Sequence, residues 1–126
     1  MNAIEAASFQ KLNRLARPGH NSGKGSSMYA IVFDLDTNTL ANTYHGNSPN
    51  NAYYDIRKVL TGYGFDWQQG STYFGGPSVD AVTCVLAVQD LAAQYAWFQP
   101  SVRDIRMLRI EENNDLMPAV ERGARR

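Results

Sequence analysis

Two aspartates close the most apolar run of the chain. Met28 to Leu35 reads MYAIVFDL, and Asp34 and Asp36 stand two residues apart at its end. A carboxylate at the C-terminal end of a central strand suits two kinds of chemistry. With phosphate oxygens, water and a second carboxylate it can hold a divalent cation, Mg²⁺ or another. Beside a like charge its pKa rises, and it can serve as a general base toward a hydroxyl or a water. The competing use is an acid that only caps a strand end. Arg103, Arg106 and Arg109 are three of the five basic residues between positions 28 and 121. Arginine suits phosphate because its planar fork donates two hydrogen bonds at once. Arg103 and Arg109 share a strand face if no bulge intervenes, and Arg106 points away. Ion pairing to Asp104, Glu111 or Asp55 is the alternative use of these side chains. Ser71 and Tyr73 offer a hydroxyl that could hydrogen-bond to a ligand and a ring that could stack on one; packing in a bend is the alternative. His45, in a polar loop, and His20 read as solvated, Cys84 as a core residue, and Tyr53 and Arg57, one turn apart, as helix packing.

The charge of the chain is unevenly placed. Twelve Lys and Arg balance twelve Asp and Glu. Residues 1–27 hold Lys11, Arg14, Arg17 and Lys24 against Glu5, and residues 122–126 hold Arg122, Arg125 and Arg126. The segment between is acidic. That excludes an evenly basic nucleic-acid binder, because nonspecific affinity for phosphate depends on Lys and Arg. Any such contact must come from a local arginine cluster or from the basic ends. One Cys in 126 residues excludes a disulfide scaffold and a Cys-based zinc site. No apolar run approaches the roughly 20 residues of a membrane span, and the N-terminus lacks the apolar stretch of a signal peptide. The expectation is a cytoplasmic domain with no membrane association.

These residues need elements to hold them. Thirteen of the fourteen aromatics lie between Tyr29 and Phe98, so the folded part is expected at 28–121, with a flexible basic arm at 1–27 and a basic tail at 122–126. MYAIVFDL reads as a central strand. Tyr29, Ile31, Phe33 and Leu35 share the face that meets helices, and Ala30, Val32, Asp34 and Asp36 share the other. Thr37 to Asn47 reads as a loop. Ser48 and Pro49 open a helix with Ala52, Ile56, Val59, Leu60 and Tyr63 on its buried stripe, and Gly62 and Gly64 stop it. Phe65–Gln69 and Ser71–Phe74 read as strands joined at Gly70. Ser78 caps a second helix running to about Trp97. A last strand lies in 103–112, where a bulge between Met107 and Leu108 would reconcile its imperfect alternation. Asn114 or Asp115 can cap a short terminal helix containing Val120.

The order β-α-β-β-α-β is that of an α+β, ferredoxin-like fold: a four-stranded antiparallel sheet with the helices on one face. The other face carries Ala30 and Val32 and is too apolar for water, which predicts a homodimer.

Two resemblances bear on function. An apolar strand ending in Asp-x-Asp resembles the first motif of haloacid-dehalogenase-type phosphatases. The further parallel strands of that fold are missing, however, and Asn38 stands where the family has Thr. The wider match is to the VapD (virulence-associated protein D) family. MYAIVFDL, AYYDIRKVL, GFDWQQGSTY and WFQPSVRDIRMLRIEE resemble its blocks in order and spacing over roughly residues 28–120. This resemblance implies a ferredoxin-like homodimer related to small CRISPR-associated endoribonucleases, with ribonuclease activity and, in several members, a role as the toxin of a toxin–antitoxin pair. It implies Asp34, the acidic residue ending the first strand, as the catalytic residue, and Arg103 and Arg106, within SVRDIR, as residues near the site; its place at the strand end also makes Asp34 the candidate metal ligand. RNA and an antitoxin protein are the implied partners. The arm at 1–27, Asp36 and the Asn-rich loop depart from the family pattern. The competing class is a non-catalytic homodimer that binds nucleic acid or a partner protein.

Overall fold

A computed structural model of the chain describes residues 28–46 and 48–125. The expected arm at 1–27, with His20, and the last arginine of the tail lie outside the described residues. The elements are β1 (Met28–Leu35), α1 (Thr37–Thr43), α2 (Asn50–Gly62), β2 (Phe65–Gln69), β3 (Thr72–Gly75), α3 (Ala81–Gln94), α4 (Phe98–Ser101), β4 (Val102–Ile110) and α5 (Met117–Ala124). The strands form one antiparallel sheet in the order β2-β3-β1-β4, which is the ferredoxin-like order.

Alternation along β1 divides its side chains between the two faces. Ile31, Phe33 and Leu35 are buried in one core with Phe65 and Tyr73 of the neighbouring strands. The helices close over that side. From α2 come Ala52, Ile56, Val59 and Leu60, the stripe that the i, i+4, i+7, i+8 spacing predicts. From α3 come Cys84, Ala87 and Leu91. Trp97 and Phe98 seal one end, with Trp97 edge-on to Tyr44 at 5.3 Å.

Local chemistry explains several boundaries. Gly64, past the end of α2, has φ 101°, a left-handed conformation that a residue with a Cβ adopts only under strain. Gly70 (φ 51°) does the same in the two-residue turn that joins β2 to β3. The cap position of α2 is Pro49 and not Ser48, whose Oγ accepts from the amide of Asn50 at 3.3 Å from one residue further out. Leu116 holds the cap position of α5, and Asp115 before it accepts from the amide of Met117 at 3.0 Å.

Four further expectations are corrected. Thr37–Thr43 is a helix rather than a loop, because Asp36 caps it and Leu40 is buried beneath it. The cap of α3 is Asp80 and not Ser78: the Asp80 carboxylate accepts from the amide and hydroxyl of Thr83, both at 2.8 Å. That helix ends at Gln94, and Pro100 sits inside the short α4. The ladder is unbroken at Met107 and Leu108, which pair with Ile31 and Ala30; the irregularity lies between Asp34 and Leu35.

Candidate functional site

The displaced irregularity builds the site. In the β1–β4 ladder Asp34 pairs with Asp104 and Leu35 with Val102, so Arg103 has no residue opposite it. In a regular ladder Arg103 would face Leu35 and turn toward the helices. The extra residue bends the strand and re-aims the side chain. Its guanidinium Nε comes to 4.0 Å from the Asp34 carboxylate. The face-sharing expected for Arg103 and Arg109 is therefore overturned by the bulge. Arg109 instead pairs with Tyr29 across the ladder and sits 3.1 Å from Glu111.

Asp34 and Asp104 face each other across the two strands at the end of the open face. Opposed residues of an antiparallel pair hold their Cβ atoms roughly 5 Å apart, so two like charges meet there. The arginines compensate. Arg106, opposite Val32, donates from Nε to both oxygens of Asp104, at 3.2 and 3.0 Å. That carboxylate holds the guanidinium protonated even above the usual arginine range. All four side chains are open to water, with Asp34 66% and Arg106 70% exposed. The arrangement is a carboxylate free of any cap on an accessible face, with one guanidinium 4.0 Å away and a second bound to the aspartate opposite it. It can accept a proton and bind a phosphodiester at once.

Asp104 is the member that sequence reading treated only as a pairing option for the arginines. Antiparallel register from Ile110 back to the strand end would have placed it opposite Asp34, but only with the bulge correctly located.

Asp36 is not the second carboxylate of the site. Its Oδ1 accepts from the amide of Thr39 at 2.9 Å, and this bond holds its carboxyl below the ordinary value. It is a helix cap. The sheet is antiparallel, so the phosphatase likeness of the Asp-x-Asp motif has no fold to support it.

Ser71 lies at the same end of the sheet as Asp34: its carbonyl accepts from the amide of Phe33 at 3.1 Å. Tyr73 lies elsewhere. It is 2% exposed and its ring stacks on Phe33 at 6.1 Å, on the face opposite Asp34, which leaves no surface for a base to stack on. Burial pushes its hydroxyl pKa up, and the guanidinium of Arg57 opposes that shift. Arg57 itself stacks on Trp67 at 3.7 Å, which is packing, as the helical spacing suggests. His45 is exposed and Cys84 is buried.

Among the described residues no group of three or more His, Cys, Asp or Glu side chains converges on one point. Asp104 is engaged by Arg106, so a divalent cation at this end of the sheet would be held by Asp34 together with phosphate oxygens and water.

Comparison with known proteins gives the family. No family model matches the chain. Endoribonuclease VapD 2 of Riemerella anatipestifer is 57% identical over 93 residues, covering 74% of this chain and 99% of the relative. The endoribonuclease VapD homolog of Helicobacter pylori is 55% identical over 96 residues, covering 75% and 97%. The endoribonuclease VapD of Dichelobacter nodosus is 40% identical over 97 residues, covering 77% and 100%. The chain belongs to the VapD family. The bulge, the opposed aspartates and the two arginines are thus features of a VapD chain, and the relatives bearing that name are called endoribonucleases. Among the described residues no helix is long and apolar enough to cross a membrane.

Proposed function

We propose that this VapD chain is an endoribonuclease whose reacting groups are Asp34, Arg103 and Arg106. The observation that carries the proposal is an uncapped carboxylate with a guanidinium 4.0 Å away and a second on the facing strand. Asp34 removes the proton of a ribose 2′-hydroxyl. The resulting oxygen attacks the adjacent phosphorus, forming a P–O2′ bond. The P–O5′ bond breaks, and the departing O5′ takes a proton from water. The products are a 2′,3′-cyclic phosphate and a 5′-hydroxyl end. Arg103 and Arg106 neutralise the charge that builds on the phosphate oxygens, where preorganised donors act best. At this site the arginines carry the positive charge that a cation would otherwise bring.

The apolar half of the open face supports a homodimer. Met28 pairs with Ile110 and Ala30 with Leu108, and Leu108 is 47% exposed. Apolar residues clustered on a sheet face, with a charged site at one end, fit a self-complementary interface about a two-fold axis. Such pairing would set two copies of the site beside each other. The role of toxin countered by an antitoxin protein rests on the family resemblance. It predicts growth arrest when the wild type, but not Asp34→Asn, is expressed.

The test is a denaturing gel of defined RNA incubated with wild type and Asp34→Asn, with Mg²⁺ and with a chelator. Loss of a general base should reduce cleavage by about 10²–10⁴-fold, and chelation should leave the wild type active. Equal cleavage by both proteins overturns the assignment of Asp34. RNA retained without cleavage by the wild type makes the chain a binding module. A 2′-deoxy substitution at the scissile nucleotide should abolish cleavage there; persistent cleavage would show that water is the nucleophile.

A further inference from the structure

The last helix has no surface of its own to rest on. α5 buries none of its residues, and Leu116, Met117 and Val120 are 70%, 56% and 59% exposed. Met117 and Val120 lie three residues apart, so they share one side of the helix, with Leu116 beside them at its start. Isolated helices shorter than about 12–15 residues are marginal in water, and α5 has eight. It needs a partner surface to persist.

The folded body offers such a surface. α3 and the edge strand β4 leave a groove of about 210 Å³ between them, lined by Val85, Val88, Ile105 and Met107 among its apolar residues and by Gln89 and Arg106. Its rim is apolar and open: Val82 is 65% exposed, Val85 and Leu86 50%, and Met107 45%. Among its fourteen residues α3 carries one charge, Asp90, and Asp80 caps its start. The other side of the match is basic. Arg122, Arg125 and Arg126 follow the apolar side of α5, against Glu121 alone. Apolar side meets apolar groove, the arginines that follow it meet Asp90 of α3 and its cap Asp80, and the one cation lining the groove, Arg106, is already engaged by Asp104.

Chain direction favours a groove on another molecule. The groove sits beside residues 105–107, and β4 runs past it to Ile110 before the chain leaves the sheet. Glu111, Glu112 and Asp115 then separate the strand from α5. To fill its own groove the chain would have to reverse direction within that acidic segment. We infer that α5 of one chain seats in the α3–β4 groove of a second copy, and that the exchange is reciprocal. The inference does not depend on Asp34 or on cleavage.

Cross-linking in the full chain tests it. In a Cys84→Ala background, Met107→Cys and Val120→Cys are introduced singly and together, and each protein is oxidised and run on a non-reducing denaturing gel. The paired variant should run as a covalent dimer, while each single variant stays monomeric. A cross-link that leaves the chain at monomer mobility would put α5 in its own groove and overturn the proposal. Absence of any cross-link overturns it as well. As a second reading, Met117→Asp with Val120→Asp changes only exposed positions, so the circular dichroism of the folded body should be unchanged. Sedimentation should show dimer dissociation strengthened about tenfold or more, the cost of withdrawing two apolar side chains from an interface. Unaltered sedimentation would count against the docked helix.

Discussion

The two faces of the sheet differ in what their side chains are free to do. Toward the helices, Ile31, Phe33, Leu35 and Tyr73 interlock with α2 and α3 in one continuous core. Two hydroxyls around that core are engaged too: that of Tyr44 donates to Asp55 and that of Tyr63 to Asp90, both at 2.9 Å. On the open face, one residue further along the same strand, Asp34 stands two-thirds exposed beside a guanidinium it does not closely bind. Exposed ion pairs contribute about 0–1 kcal/mol, so these charges add little to folding. Burial on one face holds the backbone register. That register places charges on the other face which stability does not need, and such charges are available for chemistry.

Substitutions one strand apart should separate the two roles. Tyr73→Ala removes a buried ring stacked on Phe33 and should cost about 3–5 kcal/mol of stability, as other buried aromatics do, measured by denaturant unfolding. Asp34→Asn should change stability by no more than about 0.5 kcal/mol while RNA cleavage falls by about two orders of magnitude or more. If Asp34→Asn unfolded the protein, or if Tyr73→Ala kept its stability and lost only cleavage, the division between the faces would be wrong.

Most of this architecture was legible in the sequence, for identifiable reasons. The stripe of α2 and the alternation of β1 are periodic burial, which local spacing encodes directly. α1 was not legible, because TNTLANT is poor in helix formers. It is helical because Asp36 caps it and Leu40 finds a place in the core, and the second of these is a tertiary fact. Asp34 was visible as an acid ending an apolar strand. Its partner Asp104 was not, because the bulge expected between Met107 and Leu108 would have shifted the register before Asp104, whereas the ladder runs unbroken from Ile110 to Asp104. The bulge at Arg103 reversed the expected faces of the arginines. Tyr73 was offered as a stacking contact on residue type alone, and its position opposite Ile31 assigns it to the core.

A smaller effect distinguishes the members of the open-face site. Arg106→Lys keeps the charge but loses the planar fork, and should reduce cleavage by about tenfold. Asp104→Asn should reduce it less, because Asp104 touches Arg106 rather than substrate. If Asp104 acts only by holding Arg106, the double variant should cleave no worse than Arg106→Lys alone, a non-additivity that a double-mutant cycle reads directly. Additive losses would give Asp104 a role of its own.

The smallest expected effect concerns Asp36, two residues beyond Asp34 yet part of the helix side. Its carboxylate is held below the ordinary aspartate value of 3.8 chiefly by the amide of Thr39, as that of Asp80 is by the amide of Thr83. A depressed folded pKa means the unfolded chain binds protons more readily. The stabilisation is therefore complete above 3.8 and is lost as pH falls through the lower folded value. Asparagine caps a helix about as well as aspartate and does not titrate. Asp36→Asn with Asp80→Asn should thus lower the thermal midpoint slightly at pH 7, through lost charge–dipole attraction. That deficit should shrink as pH falls below 3.8 through the lower folded values, where the wild type's own carboxylates take up protons. Cleavage at pH 7 should be unchanged. A variant that kept its midpoint but lost cleavage would return Asp36 to the site and join the two faces at the end of β1.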